Sequence, residues 1–128
     1  MKSFPDIEQV LAQNPDIELA YVFGSVARGE AGADSDLDLA VRMSEPLDAE
    51  RKINLIEELA SATGRPVDLV DLHTVGEPLL GQVLSGERLI GTPEQHAALM
   101  TRHLLDDADF MPYVRRLQAE RRARWMKS

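Results

Sequence analysis

At 128 residues, 44% of them apolar, the chain has the size and apolar content of one domain with a core of its own. It has no cysteine, which excludes a disulfide framework and a thiolate zinc site, and no apolar run approaches the roughly 20 residues of a membrane-spanning helix. The net charge of −8 argues against non-specific nucleic-acid binding, but it is unevenly spread: from Tyr113 to Ser128 six basic residues face Glu120 alone, a balance of +5 that leaves −13 elsewhere.

The opening MKSFPDIEQV lacks the apolar run of a signal peptide, so a soluble cytoplasmic protein is expected, with no membrane and no direct nucleic-acid partner. Asp6 to Gln13 carries a weak helical pattern that Pro15 ends. Leu19 to Phe23, an apolar run of β-formers stopped by Gly24, reads as a buried strand. Leu37 to Val41 is a second strand and Val67 to Leu72 a third. Between those two, Ala49, Ile53, Ile56, Leu59, Ala60 and Thr63 recur at helical steps over Asp48 to Thr63, closed by Gly64 and Pro66.

Pro78 to Leu84 reads as a short helix ended by Gly86, and ERLIG as a small edge strand. Thr92, Pro93 and Gln95 then form a helix start with a capping box. Met100, Leu104, Ala108, Met111, Val114 and Leu117 continue one apolar face, with Pro112 expected to kink or divide the helix. The fold class is therefore α/β (α+β): a small mixed sheet flanked by helices, with a core over residues 1–91 and a helical C-terminal extension over 92–128.

The chemistry concentrates in Gly24 to Val41, GSVARGEAGADSDLDLAV. Alternation along a strand points Asp36 and Asp38 to one face, while Leu37 and Leu39 point into the opposite layer. Two carboxylates so close repel, and a hard cation such as magnesium, which completes its octahedron with water or phosphate oxygens, relieves that repulsion. Ahead of them, Gly24 and Ser25 offer backbone amides with no bulky side chain, Ser25 adds a hydroxyl donor, and Arg28 can reach a phosphate oxygen. A triphosphate gripped by that turn and bridged by metal to the aspartates is an arrangement for nucleotidyl transfer.

GS, ten residues, then DLD resembles the signature of the DNA polymerase beta-like nucleotidyltransferase superfamily. The short chain resembles its minimal members, the MNT antitoxins paired with HEPN-type toxins, over roughly Leu19 to Ile90. The resemblance implies that fold and a third carboxylate on a later strand. It also implies two magnesium ions held by the three acids, and ATP as the nucleotide. Asp68, within RPVDLV, is the residue the resemblance selects, with a further role as acceptor of the incoming hydroxyl's proton. Asp71, three positions on and so on the opposite face of a regular strand, is the alternative.

In the resembled antitoxins AMP passes to a tyrosine of the partner toxin, an RNase, and silences it. The long apolar-faced helix from Pro93, with Trp125 and the basic end, is the candidate docking surface for such a partner. Two other readings stay open: an antitoxin that neutralises by contact alone, and an O-adenylyltransferase acting on small aminoglycoside-like molecules. His73, His96 and His103 share no metal-ligand spacing and read as surface or packing residues.

Overall fold

The computed structural model describes residues 3–32 and 34–106. In chain order the elements are α1 (Pro5–Ala12), β1 (Leu19–Phe23), α2 (Gly24–Arg28), β2 (Leu37–Arg42), α3 (Ala49–Thr63), β3 (Val67–Asp71), α4 (Leu79–Leu84), β4 (Glu87–Ile90) and α5 (Pro93–Asp106). The four strands form one mixed sheet in the order β3-β2-β1-β4. β2 runs antiparallel to β1 and parallel to β3, the crossover being α3, while β4 pairs antiparallel with the far side of β1.

Helices cover both faces, so β1 is apolar along its whole length instead of alternating. Ala20 and Val22 pack with Leu37, Leu39, Val41 and Leu69 under α1 and α3. Leu19, Tyr21 and Phe23 pack with Ala40, Leu72, Leu80, Val83 and Leu99 under α4 and α5. Each strand thus divides its side chains between two cores. That division decides which face can carry charge.

The caps follow the local chemistry. Asp48 Oδ1 accepts the Arg51 N–H at 2.7 Å to start α3, and Gly64 at φ +69° ends it. At the start of α5, Thr92 and Gln95 make the reciprocal capping box, with bonds of 2.8 and 3.2 Å.

Two helix faces differ from the expected ones. In α3 the buried residues are Leu55 and Leu59, whereas Ile53 is 54% exposed. The i, i+4 pair Leu55 and Leu59 points at the sheet together with Ile56, and Ile53 lies to one side of that stripe. In α5 the inward face is Leu99 with Met100, and Leu104 is 48% exposed, not on the core face. Arg102 tethers the last part of α5 by donating to the carbonyls of Leu72, at 2.8 Å, and Val75. Ala108, Met111, Pro112, Val114, Leu117, Trp125 and the basic segment lie outside the described residues.

The histidines serve packing contacts. His73 Nε2 meets Met43 O at 2.6 Å, His96 Nδ1 meets the buried Tyr21 hydroxyl at 2.7 Å, and His103 Nδ1 meets Glu77 Oε1 at 2.6 Å. The last two fasten α5 to β1 and to the segment before α4.

Candidate active site

Asp38 lies in β2, opposite Phe23 of β1 and opposite Asp68 of β3 in the parallel register. Ala40 and Val70, two residues further along each strand, belong to the core under α4 and α5. By strand alternation, Asp38 and Asp68 therefore share that face, just beyond the edge of the apolar layer. Asp36 precedes the first residue of β2 and is exposed, as is Asp68, whereas Asp38 is half-buried.

Burial holds the Asp38 carboxyl above the usual range, and the negative charges of Asp68 and Asp36 raise it further, against a lowering by Arg28. Asp38 thus feels the charge of both other acids, with Arg28 opposing them. Among the described residues no three carboxylates or histidines are drawn tightly enough together to hold a metal ion by themselves. Magnesium, which keeps waters and takes phosphate oxygens as ligands, needs only one or two carboxylates. This donor set fits such an ion shared with a polyphosphate, and does not fit an all-protein cage.

The glycine-serine turn opens α2, a five-residue helix that Gly29 at φ +72° ends. Gly24 also has φ +72°, a conformation that L side chains resist. A Cβ at Gly24 would overlap Asp38 Oδ2 and stand 3.1 Å from its Cγ. The space left by the missing side chain is thus filled by the Asp38 carboxylate, not held open for a ligand. This is a second, local reason for glycine at the head of the motif, and it locks α2 against β2.

Arg28 extends from the end of α2 and pairs with Glu30 at 2.9 Å, with both side chains more than half exposed. A pair so wet contributes about 0–1 kcal/mol, so the guanidinium can be recruited elsewhere at little cost. Beside it a cleft of about 120 Å³ is lined by Gly24, Arg28, Gln82, Ser85 and Glu87. A larger cavity of about 260 Å³, lined by Phe4, Ile7, Val26, Leu37 and Arg65 among others, lies on the α1 and α3 side and holds none of the three carboxylates.

Asp71 is occupied differently. Its carboxylate accepts the backbone N–H groups of Leu47 at 2.8 Å and His73 at 2.9 Å, and its register partner is Val41, not an acid. It ties the turn before α3 to the end of β3. We expect Asp71→Asn to lower stability by about 1 kcal/mol through the weakened charge-assisted bonds, without loss of the nucleotidyl transfer that the motif implies. Paired melting and transfer assays check this, and loss of activity without loss of stability would reassign the third acid.

The α4–β4 turn was not legible as part of the site. Gly86 there sits against Val22 and Phe23, where a Cβ would stand 2.9 Å from Phe23 Cα. That packing, with the pairing of β4 on β1, brings Gln82 and Ser85 beside Gly24, and the sequence shows Gly86 merely as a helix terminator.

The family described as Polymerase beta, Nucleotidyltransferase matches residues 5–95, a span that includes all three strands around the acids. The chain belongs to the polymerase beta nucleotidyltransferase family. Among curated proteins, this nucleotidyltransferase is similar to the protein adenylyltransferase MntA of Shewanella oneidensis, at 34% identity over 110 residues, 85% of this chain and 74% of the relative. Among solved structures it resembles a toxin–antitoxin crystal structure with AMP-PNP, at 32% identity and TM-score 0.70, covering 96% of this chain and 95% of that one. It also resembles a chain of the tri-AMPylated Shewanella oneidensis HEPN toxin in complex with MNT antitoxin, at 30% identity and TM-score 0.61, covering 96% of this chain and 92% of the other.

Proposed function

We propose that this nucleotidyltransferase is an antitoxin that transfers AMP from ATP to a hydroxyl, a tyrosine in our reading, of a partner HEPN-type toxin and so neutralises it. The observation that carries the reading is the register pair Asp38 and Asp68 on adjacent parallel strands, with Asp36 acting on the same site and Gly24 seated against Asp38. The relative named as a protein adenylyltransferase and the neighbour with an AMPylated HEPN toxin supply the substrate class.

In this reading Asp36, Asp38 and Asp68 are the residues that hold magnesium, in two sites. When bound, the metal offsets the crowding of the acids and the charge of the triphosphate, and it polarises the reacting phosphate. The Ser25 hydroxyl and the backbone N–H groups of Gly24 and Ser25 donate to phosphate oxygens, and Arg28 leaves Glu30 to donate to another. Asp68 is exposed beside Asp38 and accepts the proton of the incoming hydroxyl. The hydroxyl oxygen then bonds to the α-phosphorus, the bond to the β-phosphate oxygen breaks, and pyrophosphate leaves.

Residues 1–91 serve as the catalytic core in this scheme and 92–128 as the docking extension. The exposed Leu104 (48%) and Leu105 (56%) near the end of α5 are apolar surface for the partner. Incubation with labelled ATP, magnesium and the protein encoded beside this chain tests the reading. Label should pass to that protein and disappear with Asp36→Asn; full neutralisation by Asp36→Asn without transfer would establish an antitoxin that acts by binding alone. Label on an aminoglycoside-like small molecule instead would make the chain a small-molecule enzyme.

A further inference from the structure

The turn that leads into the acidic strand is held from outside the site. Arg65 follows Gly64 at the end of α3, and Pro66 then leads into β3. Arg65 Nη1 donates to the carbonyl oxygens of Gly32 at 2.7 Å and Ser35 at 3.1 Å. Those two residues also close on each other: the Ser35 N–H donates to Gly32 O at 3.2 Å, and the Gly32 N–H to Ser35 Oγ at 3.0 Å. Immediately past Asp36, the Leu37 N–H donates to Pro66 O at 2.8 Å.

Asp36 therefore lies between two backbone anchors, both made to the α3–β3 connection, and Asp68 stands two residues beyond Pro66. Among the described residues the Arg65 guanidinium makes no ion pair, so its donors serve main-chain carbonyls. Asp36 itself lies outside the β2 ladder, is exposed, and is repelled by Asp38. Its backbone is held on one side by the pairing of Leu37 with β3 and on the other by the bonds from Arg65 to Gly32 and Ser35.

We propose that Arg65 is a positioning residue for nucleotidyl transfer: by fastening Gly32 and Ser35 to the entry of β3, it sets the placement of Asp36 relative to Asp38 and Asp68. The inference rests on the functional reading above. It requires no contact between Arg65 and the nucleotide. A residue of this kind governs the rate more than the affinity for ATP, because misplacement of a ligating group by about 1 Å can lower the rate on the order of 10²-fold.

The test uses the full chain with its partner protein and compares Arg65→Met and Arg65→Lys with the unsubstituted protein, measuring kcat, the KM for ATP, the magnesium dependence and the melting temperature. Arg65→Met should lower kcat on the order of 10- to 100-fold. It should raise the magnesium concentration needed for half-maximal rate and leave the KM for ATP nearly unchanged, since Gly24 and Ser25 belong to another segment. Arg65→Lys should recover part of kcat, because an ammonium can still donate to one carbonyl but lacks the planar guanidinium.

Wild-type kcat and magnesium dependence in Arg65→Met would overturn the proposal. So would a lower melting temperature with unchanged kcat per folded molecule, which marks a purely structural residue. If Arg65→Met does not fold, Arg65→Lys decides by the same readouts. Transfer by the unsubstituted protein with unaffected variants removes this inference alone; no transfer by the unsubstituted protein removes the functional reading and this inference with it.

Discussion

Asp38→Asn is expected to reduce AMP transfer by roughly 10³-fold or more, since several kcal/mol of charge stabilisation would be lost with the proposed metal site. The same substitution should leave the metal-free protein no less stable than the parent, and this contrast separates a functional acid from a structural one. Burial and the charges of Asp68 and Asp36 raise the Asp38 pKa in the folded state. The folded protein therefore binds that proton more readily than the unfolded chain does, and the ionised carboxylate opposes folding at neutral pH. This unfavourable contribution is full above the raised folded pKa and fades as pH falls through it toward the unfolded value.

Accordingly, in chelator at neutral pH Asp38→Asn should melt at or above the parent's temperature, with the difference shrinking on acidification. Magnesium with ATP should reverse the order, because only the parent gains a bound ligand. Thermal melts of both proteins across pH, with and without magnesium and ATP, check each part. A variant that is destabilised in chelator at neutral pH would show that Asp38 serves the fold.

Gly24→Ala should damage both the fold and the transfer reaction by adding a single methyl group. The alanine must adopt φ +72°, which costs about 1–2 kcal/mol for an L-residue, and its Cβ would occupy the position of Asp38 Oδ2. Either the Asp38 side chain turns away or the start of α2 moves. Each displaces a proposed metal ligand by about an ångström, enough for a loss on the order of 10²-fold in transfer rate. Unlike Asp38→Asn, this variant should be less stable than the parent in chelator as well. A folded, fully active Gly24→Ala protein would separate the Gly24 contact from the chemistry.

Elements that depend on short-range rules were legible before any coordinates. Leu19–Phe23 has the strand limits that its apolar run and Gly24 imply, and Thr92 with Gln95 makes the capping box that their spacing implies. α2 was less visible, because GSVAR is a single turn of helix with no periodic face to recognise. Helical periodicity located α3 with Ile56 and Leu59 inward but took Ile53 in place of Leu55, since the two are equally apolar and only the position of the sheet distinguishes them.

The sequence by itself determined the chemistry on offer: paired acids two positions apart after a glycine-serine turn, and a further acid on each face of the third strand. It could say that Asp68 and Asp71 diverge, because alternation is a property of one strand. Only the parallel pairing of β2 with β3 decided that Asp68 faces Asp38 while Asp71 binds the Leu47 and His73 amides. The close approach of Gly24 to Asp38, the seat of Gly86 on Phe23, and the hold of Arg65 on Gly32 and Ser35 were likewise tertiary decisions. Strand period and helix caps arise among residues within about four positions, whereas register and close packing join segments whose separation along the chain carries no such period.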